Sequence, residues 1–102
     1  MYFKNLMSPV KIGSVTIRNR VVFPPIDLGL HTEGMAVDPR YEEFLCALAE
    51  DEGTGLIISE FTSVANEGFW IPASRIYSDD FIPGFKKLVS SIHSLGAKIF
   101  MQ

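Results

Sequence analysis

Asn19-Arg20-Val21-Val22-Phe23-Pro24-Pro25-Ile26-Asp27 decides how the rest of the sequence is read. Val21, Val22 and Phe23 are apolar in succession, as in a short strand covered on both faces. Proline has no N–H and fixes φ, so the strand must end at Pro24 and a stiff loop must begin there. In parallel α/β architectures, the loop after a strand's C-terminal end is where ligands are held.

Working outward, Val10-Lys11-Ile12 and Val15-Thr16-Ile17 alternate apolar and polar residues around Gly13-Ser14, which predicts a small antiparallel hairpin ahead of the main sheet. After the double proline, residues 26–35 show no periodicity and read as a loop. Asp38-Pro39 predicts a helix start, with aspartate as N-cap and proline at N1. Tyr41, Phe44, Leu45 and Leu48 follow at helical spacing, and the helix should close near Gly53. Residues 55–60 predict a second buried strand, and residues 61–79 a long irregular segment, of a length that is more often functional than idle. Asp79-Asp80 offers an N-cap for a second helix with Phe85, Leu88, Val89 and Ile92 on its apolar face and Gly96 just past its end. Residues 98–102 form a third strand.

The predicted order is hairpin–β–α–β–α–β, with parallel neighbours and right-handed crossovers. Strand starts lie roughly 35 to 45 residues apart, the spacing of a decorated (β/α)8 barrel. Three strands cannot close such a barrel, so residues 1–102 read as an incomplete N-terminal segment of one larger domain.

Composition narrows the function classes. The sequence is 47% hydrophobic with a net charge of −3, which gives no reason to expect nucleic acid or an anionic membrane as partner. Its apolar runs are too short to span a bilayer, and Met1–Leu6 lacks the pattern of a secretory signal. The single cysteine, Cys46, has no second cysteine for a disulfide or metal site, and a reducing cytoplasm is the expected compartment. Cys46 lies among apolar helix neighbours and reads as an inert thiol. Gly53-Thr54-Gly55 precedes a strand rather than a helix, so it is no dinucleotide fingerprint.

The pieces together resemble the Old Yellow Enzyme family. The resemblance is carried by Ser8-Pro9-Val10-Lys11-Ile12-Gly13, Ile17–Ile26, Gly55-Leu56-Ile57-Ile58-Ser59-Glu60, Ile82–Leu88 and Gly96–Gln102, in family order and at family spacing. It implies a TIM barrel with FMN at the C-terminal ends of the strands, using NADH or NADPH to reduce an activated C=C bond or related electron acceptor. It implies that Pro25 and Ile26 lie against the flavin ring, with Asp27 beside its O4–N5 edge in place of a small residue. Phe61 stands beside the flavin where Ala or Gly is usual, and Gln102 matches the glutamine that hydrogen-bonds the flavin pyrimidine. The Pro24-Pro25 pair resembles larger members that carry a 4Fe-4S cluster and an FAD domain. The family's substrate-anion pair, proton-donating tyrosine and FMN-phosphate site lie on later strands, so these residues alone are expected not to turn over. A homo-oligomer acting on a small-molecule substrate is the implied assembly.

Two rival readings stand beside this one: a non-catalytic half-barrel that pairs with itself or a complementary fragment, and an unrelated barrel such as a phosphate-sugar isomerase or aldolase. Other side chains have blander readings. Glu60, at a buried strand's end, is an acid–base candidate or a structural partner for Arg20 or a loop N–H. Asp27 and His31 share one loop, an acid–base pair still needing a third group to orient it. His93 belongs to the solvated side of its helix, and Phe69-Trp70-Ile71-Pro72 is a candidate lid or intersubunit contact.

Overall fold

The computed structural model describes residues 2–68 and 74–102. The hairpin forms where the alternation placed it: β1 (Val10–Ile12) pairs antiparallel with β2 (Val15–Ile17), Lys11 opposite Thr16. The main sheet has three parallel strands, β3 (Val22–Phe23), β4 (Leu56–Ile58) and, later in the chain, Lys98–Phe100, with the middle of the three being β4. Phe23, Ile57 and Ile99 stand in register across it. All three strands are shorter than expected. On β3 the cause is Pro24-Pro25, which offers no N–H to continue the ladder. On the other side, Ser59 N–H still donates to Phe100 O at 2.8 Å, but Gln102 N–H then bonds the Ser59 hydroxyl at 3.1 Å in place of a carbonyl.

Helix α1 (Pro39–Ala49) begins as its sequence dictates. Asp38 caps it by accepting the Arg40 N–H at 2.8 Å, while the Thr32 hydroxyl and Arg40 guanidinium hold the same carboxylate. Tyr41, Leu45 and Ala49 form its buried stripe; Phe44 is more exposed than expected and packs on Phe23 with the rings tilted by 58°, centroids 5.9 Å apart. A 3-10 turn over Glu50–Glu52 reverses the chain.

The irregular stretch expected over residues 61–79 carries a two-stranded parallel pair, β5 (Thr62–Ser63) with β6 (Ser74–Arg75), and short turns on either side. Its Phe69–Pro72 portion lies outside the described residues. Helix α2 (Ile82–Ser94) is preceded by a 3-10 turn capped by Ser78, not by Asp79 or Asp80. The serine hydroxyl accepts the Asp80 N–H, and both aspartates fall inside the turn, where they favour the helix's positive end. Strand β7 is Lys98–Phe100. The core lies between the sheet's Ile57 face and the two helices, with Tyr41, Leu45, Leu88 and Ile92 almost wholly out of water. Among the described residues no helix is long and apolar enough to cross a membrane.

One guanidinium ties these layers together. Arg18, just past β2, donates to Leu95 O at the end of α2, to Ala49 O at the end of α1 (2.6 Å) and to Thr54 O before β4 (3.0 Å). Helix C-termini leave carbonyls unpaired and carry partial negative charge, so a cation there satisfies both needs. Glycine is required on both sides of this clamp. Gly96 has φ +85°, and a Cβ on it would stand 2.8 Å from Arg18 Nη1. At Gly55 a Cβ would meet Asn19 Oδ1 at 2.5 Å and Ile17 Cγ2 at 3.0 Å, so β4 can begin against the hairpin only without a side chain.

Arg18→Lys keeps the charge but cannot reach three carbonyls at once; in the intact protein it should destabilise by about 3 kcal/mol in denaturant unfolding. The Asp38 carboxyl is held well below the usual carboxylate range, first by Arg40, then by Thr32. Its stabilisation is therefore present above the unfolded carboxylate pKa of about 3.9 and is lost as pH falls through the lower folded value. Asp38→Asn should be less stable than the unsubstituted protein at neutral pH, with the gap closing as the pH of the unfolding titration drops below about 4.

Candidate functional site

Because β3, β4 and β7 are adjacent and parallel, their C-terminal ends lie side by side at one edge, about 4.8 Å from strand to strand. Pro25, Ile26 and Asp27 follow β3, Phe61 follows β4 and Gln102 follows β7. The five residues singled out from the sequence are thus brought to one edge. Thr62 N–H donates to Gln102 O at 2.8 Å, and the Ser59 hydroxyl accepts Gln102 N–H, so the backbone of Gln102 is committed to the segment that follows β4. Its side-chain amide has no hydrogen bond among the described residues. Apolar surface lies beside it: Phe61 is 39% exposed, Ile26 42% and Met101 46%. These are large side chains to leave in water, and Val22 on β3 is exposed as well, so that strand is not covered on both faces as its apolar run implied.

Asp27 does not project freely. Its carboxylate accepts the Gly29 N–H at 2.9 Å and lies 3.1 Å from His31 Nε2. The Gly29 bond, with His31 behind it, holds Asp27 below the usual carboxylate range, so it is ionised at neutral pH. Asp27 and His31 therefore stand in hydrogen-bond contact, and a third group lies near them beyond hydrogen-bond distance. His31 Nδ1 lies 3.8 Å from Oε1 of Glu60.

Glu60 is 1% exposed. Of the partners expected for it, Arg20 is not the one observed, since Arg20 Nε donates to the Ser8 hydroxyl. Instead the Ser74 hydroxyl donates to Oε1 at 2.7 Å, while Oε2 is buried with no hydrogen-bond partner among the described residues. Burial pushes the Glu60 carboxyl above its ordinary range, against the Ser74 bond and the nearby His31, which favour the charge. The backbone N–H of Glu60 donates to the Tyr41 hydroxyl at 2.9 Å. Burial also raises the Tyr41 phenol to about 12, so it stays neutral.

Tyr41 and Ser74 were not legible as site residues. Tyr41 fits an apolar helix stripe, and its hydroxyl gives no periodic signal; Ser74 reaches Glu60 only because β6 folds back beside β5. His93 is exposed on α2, as its helix pattern implies. Cys46 is half-buried, and burial raises its thiol, the opposite of what a nucleophile needs.

Tyr41→Phe removes the acceptor for a buried N–H while keeping the ring. It should cost about 1–3 kcal/mol in unfolding of the intact protein; an unchanged midpoint would mean that water replaces the hydroxyl.

Comparison with known proteins places this geometry. Residues 5–102 match the sequence profile of the NADH:flavin oxidoreductase / NADH oxidase family. The chain is 40% identical over 103 residues to an NADH oxidase of Thermoanaerobacter brockii, covering 99% of this chain and 16% of that protein. It is 33% identical to an NADPH dehydrogenase of Listeria welshimeri, covering 95% of this chain and 29% of the relative. Among solved structures, the Old Yellow Enzyme from Pichia sp. AKU4542 superposes with a TM-score of 0.86 at 31% identity, over 96% of this chain and 25% of that one. The Old Yellow Enzyme from Trypanosoma cruzi gives a TM-score of 0.81 over the whole chain and 27% of its own. The chain thus spans about a sixth to under a third of the proteins it matches. The hairpin, three parallel strands and two helices are the N-terminal part of a TIM (β/α)8 barrel, and the isomerase or aldolase alternative falls. The chain belongs to the NADH:flavin oxidoreductase / NADH oxidase family, in its Old Yellow Enzyme branch.

Proposed function

We propose that residues 1–102 are the N-terminal segment of an FMN-binding barrel domain, in a protein that uses NADH or NADPH to reduce an activated C=C bond or related electron acceptor. The observation that carries this reading is the convergence of Pro25, Ile26, Asp27, Phe61 and Gln102 at the C-terminal edge of three adjacent parallel strands. That edge suits a flat heteroaromatic ring. Ile26 and Phe61 offer apolar contact area, and the uncommitted Gln102 amide can both donate and accept, as a pyrimidine edge requires. When bound, FMN would supply the hydride chemistry, accepting from the nicotinamide and passing to the acceptor.

The part of this chain is to bind and orient. Pro24-Pro25 stiffens the first strand-end loop, Ser59 and Thr62 fix the Gln102 backbone, and the Gly29 N–H and His31 draw the Asp27 charge into its own loop. An aspartate beside the ring would oppose the negative charge of a reduced flavin, and that last feature lessens the opposition. A carboxylate already paired with an N–H and an imidazole opposes charge on a reduced flavin less than a bare one. Phe61, in place of a small residue, would set one wall of the ring site.

Substrate recognition, the proton donor and the phosphate site would come from other strands of the barrel. The relatives of which this chain covers 14–16% are about twice as long as those of which it covers 29%. A 4Fe-4S cluster and an FAD domain beyond the barrel rest on the Pro24-Pro25 pair alone. A second reading, a non-catalytic half-barrel that self-associates or pairs with a complementary fragment, draws on the exposed apolar side chains Val22, Ile26, Phe61 and Met101, which any partner surface would cover.

Gln102→Leu tests the orienting role. In the intact protein it should weaken FMN binding about tenfold by fluorescence titration, with folding unchanged. Unaltered affinity and unaltered flavin potential would remove Gln102 from the site.

A further inference from the structure

We propose that Tyr41 is a positioning residue for the strand-end site: its hydroxyl takes the place of a backbone carbonyl from the β3 side at the end of β4, and so sets where Phe61 stands against the Pro25–Ile26 loop. Its importance to a bound ring rests on the proposed flavin seat; the contact itself follows from how the sheet ends. Leu56 N–H donates to Val21 O at 3.2 Å. Donors facing one neighbour recur every second residue along a strand, so the Glu60 N–H is turned toward β3 as well. Continued at the observed register, Val22 opposite Leu56 and Phe23 opposite Ile57, its acceptor would be the Pro25 carbonyl. It donates instead to the Tyr41 hydroxyl at 2.9 Å.

This exchange changes what the two strand ends can do. A Pro25 carbonyl bonded to Glu60 would hold Pro25 and Ile26 in the plane of the sheet, close against Phe61. A hydroxyl delivered from α1 satisfies the buried N–H and lets the loop after β3 part from β4. Phe61 is then fixed through the backbone on both sides of it, by Glu60 N–H on Tyr41 and by Thr62 N–H on Gln102 O. Its ring is left partly exposed at the edge.

The hydroxyl comes from a firmly held place. Tyr41 is 1% exposed and belongs to the core cluster with Leu45, Ile57 and Leu88. It lies in the first turn of α1, where its N–H donates to Asp38 O at 3.0 Å. The Asp38 carboxylate accepts the Thr32 hydroxyl at 2.6 Å, from the same loop that follows β3. One short path of hydrogen bonds thus runs from that loop, through the start of α1, to the residue before Phe61. Burial, with the charges of Glu60 and Asp27 adding to it, keeps the phenol neutral, so this acceptor does not titrate near neutral pH.

The test compares Tyr41→Phe with Ile92→Val in the intact protein. Ile92 is fully buried in the same core but near the end of α2 that the Arg18 clamp holds, so truncating it lowers stability away from the strand-end site. Tyr41→Phe should raise the FMN dissociation constant about five- to tenfold and alter the visible circular dichroism of the bound flavin, while Ile92→Val leaves both unchanged. In the flavin-free protein the Glu60 amide should exchange hydrogen as slowly as the amides of β4, and about tenfold faster or more in Tyr41→Phe. If Tyr41→Phe does not fold, Thr32→Val decides by the same readings, since Thr32 is exposed and its loss loosens the same path. Unaltered FMN affinity and dichroism in the folded variant, equal losses in Ile92→Val, or a freely exchanging Glu60 amide in the unsubstituted protein overturns the role of Tyr41 alone. An unsubstituted protein that takes up no FMN overturns the flavin reading, and this role with it.

Discussion

The arrangement depends on the reach of one side chain. Arg18 leaves the hairpin and satisfies carbonyls at the ends of both helices and at the entry to the central strand. Those carbonyls belong to three elements far apart in sequence, and each would otherwise face a poorly hydrated corner unpaired. A planar, permanently charged guanidinium with several N–H groups can serve all three; a lysine cannot. The clamp closes the N-terminal end of the sheet and packs α1 and α2 onto the Ile57 face. It thereby fixes which way the strands point, and the opposite end is left for chemistry.

At that opposite end the construction changes character. The strands stop for different reasons: β3 because proline cannot donate, and β4 with β7 because a serine hydroxyl takes over from a carbonyl. Backbone groups there are used up in holding position, while side chains with little to do inside the chain, Ile26, Phe61 and the Gln102 amide, face outward. Just behind them lies a polar cluster in which an ionised Asp27 and a buried Glu60 flank His31. Two carboxyl groups within reach of one imidazole, shifted in opposite directions by their surroundings, are what a functional edge looks like electrostatically.

Much of this fold was legible in the sequence because it rests on local rules. Gly13-Ser14 between alternating runs gave a hairpin, Asp38-Pro39 a helix start, and Phe85, Leu88 and Ile92 the buried face of α2. The strand-end residues were placed correctly at one edge once the parallel order was inferred. The missing parts depend on contacts no local pattern encodes. The β5–β6 pair joins residues a dozen apart through two bridges, too short to leave a period. The Ser78 cap was hidden by two adjacent aspartates that look equally suitable. The grouping of Glu60 with His31, Ser74 and Tyr41 joins four elements, and only tertiary packing reveals it.

The central claim is that the C-terminal edge of β3, β4 and β7 forms one wall of a flavin seat. Its most direct test is the visible absorption spectrum of the intact protein, purified from its own cells and then titrated with FMN. Flavin bands should stay with the protein through gel filtration, and FMN should bind tightly once the flavin has been stripped. A colourless, folded protein that takes up no FMN would contradict it, and would leave the exposed strand-end surface to a protein partner.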